Sequence, residues 1–590
     1  MKYSDQVCIW LKELGYTHCF FVAGGNIMHI LESASKHFVC VPVIHEVTAG
    51  IAVEYFNEAN LTSEDKAFAL VTAGPGLTNI VTALAGAFLE SRELLVIGGQ
   101  VKSSDLKNPE LRQLGIQEID GISLAKNFCV DTLQITSPVR KSKFLDPVIS
   151  GFTPRKGPVF IEFCLDAQAA TFAAGDQEVE LVTRTKPKYD PFDFSEIYEQ
   201  IKNSQRPVLL IGGGVDRKTT QLLENELKAF PFPIMTTWNG TDRISSKVKS
   251  FMGRPNTWGQ RYSNVLIQQS DLLIAVGTRL GLQQTGFNWK EFIPLGKIIQ
   301  VDIDDQELDK VNPKVDLKIK FDANEFLVEI VRGLKNAEHD SWKSWLAFSE
   351  MVKVKLPLSE SSNTHNPNYV NPYDFYLELS KLLEEGDSVV PSSSGAAETV
   401  AMQALEQIEG VTVITSKGLA SMGYGLGGAI GAAFKSKKRV FHVEGDGGFA
   451  QNLQDLGTVS VNNLNIKTFI FCNDGYASIR MTQKNYFEGH YVGCDINTGL
   501  GLPKWEKLFE SFSIPVFTVG PNDLKNKEIV KHLTNTGPVA FLVKIDPDQT
   551  YYPKITSRIN PNGDIESNPI HKMSPDLSPE LSELVFKYLL

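Results

Sequence analysis

The chain alternates short apolar runs with glycine-rich turns and with segments that have helical spacing. In its first part, the apolar run Ala67–Thr72 is followed by a Gly-Pro-Gly turn, the helical pattern Thr78–Leu89 and the apolar run Leu94–Gly98. Strands that alternate with helices in this way form parallel sheets with helices on both faces. The sequence therefore predicts an α/β fold.

The same plan returns twice further along the chain. Near the C-terminus, the apolar runs Val411–Thr415 and Arg439–Val443 flank a glycine-rich turn and the helical pattern Tyr424–Phe434. Between the two copies, the segments RPVLLIGGG, SDLLIAVG and KIIQVDID have the apolar character of buried parallel strands. We expect three doubly wound parallel-sheet domains, of which the first and the third are structural relatives.

Two polar segments that contain proline separate these blocks. Thr183–Phe194 reads TRTKPKYDPFDF and Ser359–Pro372 reads SESSNTHNPNYVNP, and both compositions are typical of linkers. A chain of 590 residues is long enough for three large domains. The predicted units are an N-terminal domain at residues 1–182, a central domain at 190–350, a third domain at 366–560 and a C-terminal tail at 561–590.

Composition excludes several classes of protein. The net charge of −11 argues against a general affinity for nucleic acids or anionic membranes. No apolar run reaches the ~18 residues that a membrane-spanning helix needs, and the first residues lack the basic and apolar regions of a secretory signal. The seven cysteines are dispersed without a CxxC pair, which favours reduced thiols and a cytoplasmic location.

The strongest candidate site lies in the third domain, where two strands end in acidic turns. The turn Gly445–Gly447 (GDG) follows the run RVFHVE, and the turn Asn473–Gly475 (NDG) follows the run Ile466–Cys472, with a helical pattern at residues 449–459 between them. A lone GDG is compatible with an ordinary β-turn. The pair is more specific, because the carboxyl ends of consecutive parallel strands lie at the same edge of a sheet.

These turns supply the chemistry of a metal–diphosphate site. A carboxylate, an amide oxygen and a backbone carbonyl are hard oxygen ligands, which suit Mg²⁺ or Ca²⁺ shared with a diphosphate. Glycines let backbone N–H groups approach phosphate oxygens. The predicted metal ligands are Asp446, Asn473 and Gly475.

The run from Gly445 to Gly475 resembles the thiamine-diphosphate-binding motif of a known enzyme family. Other segments resemble the same family, namely Gly24-Gly25, His45-Glu46, Gly74–Asn79, Gly98–Gln100 and Ser421–Leu426. The group with the most similar motifs is that of the acetohydroxyacid (acetolactate) synthases. The resemblance covers nearly the whole chain and implies that the three domains are a pyrimidine, a central and a pyrophosphate domain.

The resemblance also implies roles for individual residues. Glu46, which alone is compatible with an acid at a helix N-terminus, would be the proton partner of the cofactor's aminopyrimidine. Met422, which alone is compatible with core packing, would bend the cofactor, and Gln117 and Gln483 would be catalytic, with Gln100 as a further active-site glutamine. The implied cofactor contacts are Gly24, Gly25, Glu46, Asn79, Met422, Gly445, Asp446, Gly447, Gly448, Asn473, Gly475, Tyr476, Ala477, Ser478 and Ile479.

The central domain resembles the FAD-binding domain of the synthases. The segments that carry this resemblance contain Gly212, Gly213, Gly214, Thr236 and Arg279. The alternative is a central domain without a cofactor, as in related decarboxylases. A nicotinamide site at the GxGxxG sequence Gly423–Gly428 is disfavoured, because no strand precedes it.

The chain departs from the synthases in its acceptor pocket. Where they carry an arginine that binds a substrate carboxylate, this chain has Gln283, and a neutral amide lacks the charged bidentate contact. Where they carry a tryptophan after the metal-binding asparagine, this chain has Gln483, and Arg480 nearby is expected to add a charge to the pocket. These changes favour a hydroxyl-rich or phosphorylated ketone as acceptor, and by analogy a nucleotide-linked keto-sugar.

We therefore predict a thiamine-diphosphate- and Mg²⁺-dependent carboligase that decarboxylates a 2-keto acid such as pyruvate and transfers the two-carbon unit to a carbonyl acceptor. The alternatives are acetolactate synthase itself, a nonoxidative 2-keto acid decarboxylase, a flavin oxidase and a non-catalytic paralogue. The absence of a His-His pair argues against the decarboxylase. Since Glu46 and the diphosphate turns lie in different domains, and relatives build the site from two subunits, we expect a homodimer or homotetramer.

Overall fold

The structure is a computed structural model that describes residues 1–59, 64–172, 192–335, 337–559 and 563–589. It contains three large sheets in which every strand pairing is parallel, so the predicted α/β architecture is confirmed. Within the described ranges, no helix is long and apolar enough to cross a membrane.

The first sheet has six strands in the order β2-β1-β3-β4-β6-β5. Its strands are β1 (Tyr16–Phe21), β2 (Val39–Pro42), β3 (Lys66–Val71), β4 (Leu94–Gln100), β5 (Asp131–Ile135) and β6 (Pro158–Cys164). Its helices are α1 (Tyr3–Glu13), α2 (Met28–His37), α3 (Glu46–Glu58), α4 (Pro75–Glu90), α5 (Gly121–Ala125), α6 (Lys141–Ser150) and α7 (Leu165–Ala169).

The second sheet has five strands in the order β11-β10-β9-β7-β8. Its strands are β7 (Pro207–Ile211), β8 (Ile234–Thr236), β9 (Leu272–Val276), β10 (Lys297–Asp302) and β11 (Leu317–Lys320). Its helices are α8 (Ser195–Asn203), α9 (Arg217–Leu222), α10 (Glu224–Lys228), α11 (Arg261–Gln268), α12 (Leu282–Thr285), α13 (Asp305–Asp309), α14 (Ala323–Gly333) and α15 (Asp340–Lys355).

The third sheet has six strands in the order β13-β12-β14-β15-β17-β16. Its strands are β12 (Ser388–Pro391), β13 (Thr412–Val413), β14 (Val440–Gly445), β15 (Ile466–Cys472), β16 (Val516–Val519) and β17 (Val539–Lys544). Its helices are α16 (Pro372–Leu382), α17 (Ala401–Ala404), α18 (Tyr424–Lys435), α19 (Asp446–Phe449), α20 (Leu456–Val461), α21 (Ala477–Tyr486), α22 (Trp505–Ser511) and α23 (Lys527–Thr534). Counted from its own first strand, this sheet repeats the strand order of the first sheet.

The C-terminal segment returns to the central domain. It consists of β18 (Lys554–Ile555), β19 (Ser557–Ile559), β20 (Ile565–Ser567), β21 (Met573–Ser574) and α24 (Pro579–Val585), and its strands pair as two antiparallel ribbons. Ile570 and Val585 are buried in the central core, and Gln269 donates a 2.9 Å hydrogen bond to the carbonyl of Val585.

The helical pattern predicted over residues 449–459 is interrupted in the structure. Two short helices, α19 and α20, are separated by a 3-10 turn at Leu453–Asp455. The break includes Asn452, whose backbone lies outside the helical region (φ −137°, ψ 33°) and whose side chain donates a 2.7 Å hydrogen bond to the carbonyl of Gly423. The chain therefore bends towards the start of α18.

The exact residues at which the three domains begin and end stay a prediction. Each of the three sheets lies inside one of the predicted ranges. Most of the first linker lies outside the described residues, and the second linker has no helix or strand before α16 begins at Pro372.

The first and third domains contact each other through α3 and α18, which both follow the second strand of their sheet. Gly431 faces the backbone of Ala52, and Gly428 faces the ring of Tyr55, so closely that a Cβ on either glycine would overlap. The two helices can therefore cross in close contact. Glu46 begins α3, and Met422 lies two residues before α18.

Candidate active site

Asp446, Asn473 and Gly475 lie together at the carboxyl ends of β14 and β15. The buried carboxylate of Asp446 accepts hydrogen bonds from the backbone N–H groups of Gly447 (2.7 Å), Asn473 (3.1 Å) and Gly475 (3.3 Å). One terminal amide atom of Asn473 lies 3.2 Å from Oδ1 of Asp446 and 3.0 Å from the backbone oxygen of Gly475. The three predicted ligands form one cluster.

The spacing of this cluster fits a magnesium ion. Mg²⁺ holds oxygen ligands at 2.0–2.1 Å in an octahedron, so two neighbouring ligands lie about 3 Å apart. If the amide nitrogen of Asn473 faces the cluster, it donates to both neighbouring oxygens; if the amide oxygen does, three oxygens converge and need a cation between them. In the part of the chain that the structure describes, no three His, Cys, Asp or Glu side chains are arranged so that they could hold a metal ion by themselves. Amide and carbonyl oxygens would therefore complete the ligand set.

The charge of Asp446 also favours a cation at this position. Burial raises the pKa of Asp446 to about 6, although the three backbone N–H groups that it accepts from act in the opposite direction. A buried carboxylate without a positive partner is costly to ionise. A divalent cation would supply that partner.

Glycines shape the two turns around the cluster. Gly475 has φ 118°, and a Cβ there would overlap the carbonyl of Cys494, which accepts a 2.8 Å hydrogen bond from the N–H of Tyr476. A Cβ on Gly447 would overlap the ring of Tyr476. Gly445 differs, because nothing lies within 4 Å of its Cβ position. The open side of the cluster is therefore at Gly445, where a diphosphate could approach.

The first turn of α21 lies directly after this cluster. Tyr476 precedes the helix, and Ala477, Ser478 and Ile479 form its first turn. The first N–H groups of a helix have no partners within the helix and attract anions. The ten-residue helix thus begins where the resemblance implies cofactor contacts.

Arg480 does not add a free charge to the acceptor pocket, so that expectation is corrected. Its buried guanidinium donates to the backbone carbonyls of Asn473 (3.1 Å), Asp474 (2.8 Å) and Pro547 (3.3 Å), and Asp495 lies 3.6 Å away. Every contact is to a loop of its own domain. The side chain therefore stabilises the metal-binding turn.

The side-chain amide of Gln483 is also hydrogen-bonded within its own segment. Its amide group donates to the carbonyl of Val492 and accepts from the N–H of Val492, at 3.0 Å in both cases. This pair connects α21 to the loop that follows it. The catalytic role of Gln483 stays a prediction. Gln283 lies in α12 and is exposed.

In the first domain, Glu46 begins α3 and is buried, with 8% of its surface exposed. Asn79, in the second turn of α4, donates a 2.9 Å hydrogen bond to Oε2 of Glu46. Among the described residues, Oε1 of Glu46 has no hydrogen-bond partner. One carboxylate oxygen is therefore fixed, and the other is available to a ligand.

The two first-domain glutamines differ in their surroundings. Gln117 is exposed and has φ 63°, and its carbonyl lies so close to Gly74 that a Cβ on Gly74 would overlap it. Gln100 is buried, and its amide donates to Glu162 (3.0 Å) and to the carbonyl of Ile119 (3.1 Å). The amide of Gln100 therefore holds the loop that carries Gln117, and its active-site role stays a prediction.

The remaining predicted cofactor contacts fall into two classes. Position 24 needs a glycine for packing, because a Cβ there would overlap the side chain of Thr72. At Gly25, by contrast, nothing lies within 4 Å of the Cβ position. Met422 is partly exposed, and Gln451 donates to its sulfur at 3.7 Å. Gly25 and Met422 thus present open surface.

In the central domain, packing explains two of the three predicted FAD glycines. A Cβ on Gly212 would overlap the carbonyl of Gly277, and one on Gly214 would lie 2.9 Å from the Cα of Gly277. Thr236 is buried and its hydroxyl has no hydrogen-bond partner in the described ranges. Arg279 is exposed.

Sequence reasoning missed Glu444, a buried acidic residue that supports the site. Glu444, directly before the GDG turn, accepts hydrogen bonds from Ser393 Oγ (2.5 Å) and the N–H of Gly423 (3.2 Å), and contacts His442 Nε2 at 3.1 Å. A Cβ on Gly448 would overlap Ser393. The signal was a glutamate at the end of the segment RVFHVE, directly before the GDG turn, because a charge buried in a strand needs partners.

Comparisons with known proteins cover all three domains. Residues 1–124 match the thiamine pyrophosphate enzyme N-terminal TPP-binding domain, residues 194–330 match the central domain of these enzymes, and residues 393–543 match their C-terminal TPP-binding domain. Thiamine pyrophosphate is another name for thiamine diphosphate. The resemblance seen in the sequence is therefore confirmed in each domain.

Acetolactate synthases are similar over nearly the full chain. An acetolactate synthase large subunit of Cyanidium caldarium is 28% identical over 88% of this chain and 88% of that protein. The acetolactate synthase isozyme 2 large subunit of Escherichia coli K12 is 27% identical, over 96% of this chain and 98% of that protein. The chain belongs to the thiamine pyrophosphate enzymes, as an acetolactate synthase-like transferase of aldehyde or ketone residues.

Proposed function

We propose that this enzyme decarboxylates a 2-keto acid, most simply pyruvate, and transfers the remaining two-carbon unit to a carbonyl acceptor. The observation that carries the proposal is that one chain contains both an oxygen cluster of Asp446, Asn473 and Gly475 and a buried Glu46. Asn79 holds one carboxylate oxygen of Glu46 by a hydrogen bond. When bound, thiamine diphosphate supplies the carbon nucleophile that adds to the keto acid and stabilises the charge left by CO₂.

The chain's own residues bind and orient the cofactor. Asp446, Asn473 and the carbonyl of Gly475 would hold Mg²⁺, and the N–H groups at the start of α21 would bind the diphosphate. Glu46 would share a proton with the aminopyrimidine through its unpaired oxygen Oε1. Asn79 keeps the carboxylate oriented for this transfer.

We propose an acceptor that is not a simple 2-keto acid, and a nucleotide-linked keto-sugar is our specific hypothesis. Gln283 is exposed and carries no charge to bind a carboxylate. Because Arg480 is committed to backbone carbonyls, it offers no charge in place of that missing arginine. Acetolactate synthase activity is the second candidate, since the similar proteins carry that name.

We propose that the active unit is a homodimer or a dimer of dimers, in which each site uses two chains. Leu114 and Ile116, beside Gln117, are exposed, as are Ile479 and Tyr486 on α21. Exposed apolar side chains near functional residues mark interaction surfaces. The free thiols of all seven cysteines fit the proposed cytoplasmic location.

We also propose FAD in the central domain. Exposed Arg279 and the unpartnered hydroxyl of Thr236 support it. Gly212 and Gly214 give no support, because their contacts with Gly277 already explain them.

The test of the carboligase proposal is mass spectrometry of the products formed from ¹³C-labelled pyruvate with a panel of acceptors. The panel contains 2-keto acids, sugar ketones and nucleotide-linked keto-sugars. The expected product is an acceptor that has gained a labelled two-carbon unit. Acetolactate alone would favour the second candidate, and free aldehyde alone would reject carboligation.

A further inference from the structure

Asp455 of the third domain contacts the chain on both sides of Glu46. It ends the 3-10 turn before α20 and is completely buried. Its Oδ1 accepts a 2.8 Å hydrogen bond from the N–H of Ile44, and its Oδ2 accepts a 2.7 Å hydrogen bond from the hydroxyl of Thr48. Ile44 precedes Glu46 by two residues and Thr48 follows it by two.

These two contacts fix the start of α3 relative to the third domain. Ile44 lies between β2 and α3, and Thr48 lies in the first turn of α3. Their carboxylate partner accepts one further hydrogen bond, at 3.0 Å from Thr458 within its own domain. Charge-assisted hydrogen bonds of this kind are about twice as strong as neutral ones, and burial excludes competing water.

We infer that Asp455 is a positioning residue, which holds the backbone around Glu46 so that its free oxygen Oε1 reaches the cofactor. The inference rests on the proposed role of Glu46. Asn79 orients the side chain of Glu46, whereas Asp455 holds its main chain. Small displacements of a reacting group are costly, because about 1 Å of misplacement can reduce a rate 10²-fold.

The sharpest test compares two threonines that contact the same carboxylate. Thr48→Val removes the contact beside Glu46, and Thr458→Val removes a contact that does not reach Glu46. We expect Thr48→Val to slow C2 hydrogen–deuterium exchange of bound thiamine diphosphate about 10-fold to 10²-fold. The cofactor affinity and the melting temperature of Thr48→Val should match those of Thr458→Val. Thr458→Val is expected to keep nearly the wild-type rate.

Asp455→Asn and Asp455→Ala give a second measurement that does not need the cofactor. Asparagine can accept from the N–H of Ile44 and donate to Thr48, so it should preserve both contacts, whereas alanine preserves neither. In the cofactor-free protein, amide hydrogen exchange in the peptide containing Ile44 should become faster in Asp455→Ala and stay slow in Asp455→Asn. C2 exchange of bound thiamine diphosphate should be slowed in Asp455→Ala and stay close to the wild-type rate in Asp455→Asn.

Glu46→Gln is measured in parallel to separate two failures. If Glu46→Gln leaves C2 exchange unchanged, the proposed role of Glu46 is wrong and the inference falls with it. If Glu46→Gln slows exchange but Thr48→Val behaves like Thr458→Val, Asp455 has no positioning role and the proposed function stands. Unchanged amide exchange in Asp455→Ala would also overturn the inference.

Discussion

Arg480 donates a hydrogen bond to the backbone carbonyl of Asn473, the residue whose side-chain amide faces Asp446. It also donates to Asp474 and Pro547. One guanidinium therefore holds the NDG turn against the loop after β17. The Asn473 side chain and the Gly475 carbonyl are both fixed by the conformation of that turn.

We expect Arg480→Met to weaken Mg²⁺-dependent cofactor binding and to lower the free energy of unfolding by about 1–3 kcal/mol, because buried carbonyls lose their donor. Arg480→Lys should recover part of both losses, since lysine keeps the charge but not the planar donor geometry. Calorimetric titration with thiamine diphosphate and chemical denaturation measure the two effects. Lys484→Met, an exposed change on the same helix, is the control. If Arg480→Met and Lys484→Met show the same cofactor affinity and the same free energy of unfolding, Arg480 does not stabilise the metal-binding turn.

Magnesium affinity should fall below pH 6. A metal binds the deprotonated carboxylate, and burial raises the pKa of Asp446 to about 6. Protons therefore compete at acid pH, and affinity at pH 5 should be about tenfold below its plateau. The same raised pKa makes the cofactor-free fold gain stability as the pH falls from about 6 towards the pKa of an unfolded aspartate.

Mg²⁺ titrations between pH 5 and 8 measure this dependence. Asp474→Asn is the matched control, because Asp474 is exposed, and asparagine tolerates its φ of 62°. The control should keep metal binding, with its pH profile moved slightly towards lower pH because the charge of Asp474 helps to raise the pKa of Asp446, whereas Asp446→Ala should lose metal-dependent cofactor binding altogether. A wild-type affinity that does not change over this pH range would contradict the ligand role of Asp446.

The fold was predictable because its signals are local. The run Ile466–Cys472 was predicted as a strand and is β15 in the structure. Asp446 and Asn473 could be paired from strand topology alone. The support from Asp455 could not, because its contacts with Ile44 and Thr48 join residues about four hundred positions apart. No sequence period encodes such a contact.

The arginine shows a different limit. Arg480 lies on the helix after the metal-binding turn, and a charged residue beside a site is easily interpreted as facing the ligand. The structure directs it to backbone carbonyls instead. Gln100 shows the same limit, since its amide donates to Glu162 and to the carbonyl of Ile119. Residue type alone does not reveal which partner a polar group takes.

Complementation should reveal a site made from two chains. Glu46→Gln and Asp446→Ala are each expected to be inactive. After reversible dissociation and mixing, about half of the dimers are mixed and each has one intact site, so activity should return to about a quarter of the wild-type value. Labelled chains establish that exchange has occurred. Complete exchange without activity would mean that each site is built from one chain.

The FAD proposal predicts a yellow protein. The purified enzyme should show flavin absorption with one FAD per chain, and Arg279→Ala should lower the FAD content while preserving thiamine diphosphate binding. Arg332→Ala, on α14 of the same domain, is the control. A colourless protein that stays colourless after addition of FAD would reject the proposal.

The most direct test of the account is the rate of C2 hydrogen–deuterium exchange of thiamine diphosphate bound to the wild-type enzyme and to Glu46→Gln, with saturating Mg²⁺. Glu46 is buried, oriented by Asn79 and free at Oε1, so loss of its proton-transfer function should slow exchange by about 10²–10⁴-fold. Cofactor affinity should change little, because the diphosphate site lies in the other domain. Equal exchange rates in the two proteins would remove Glu46 from the mechanism.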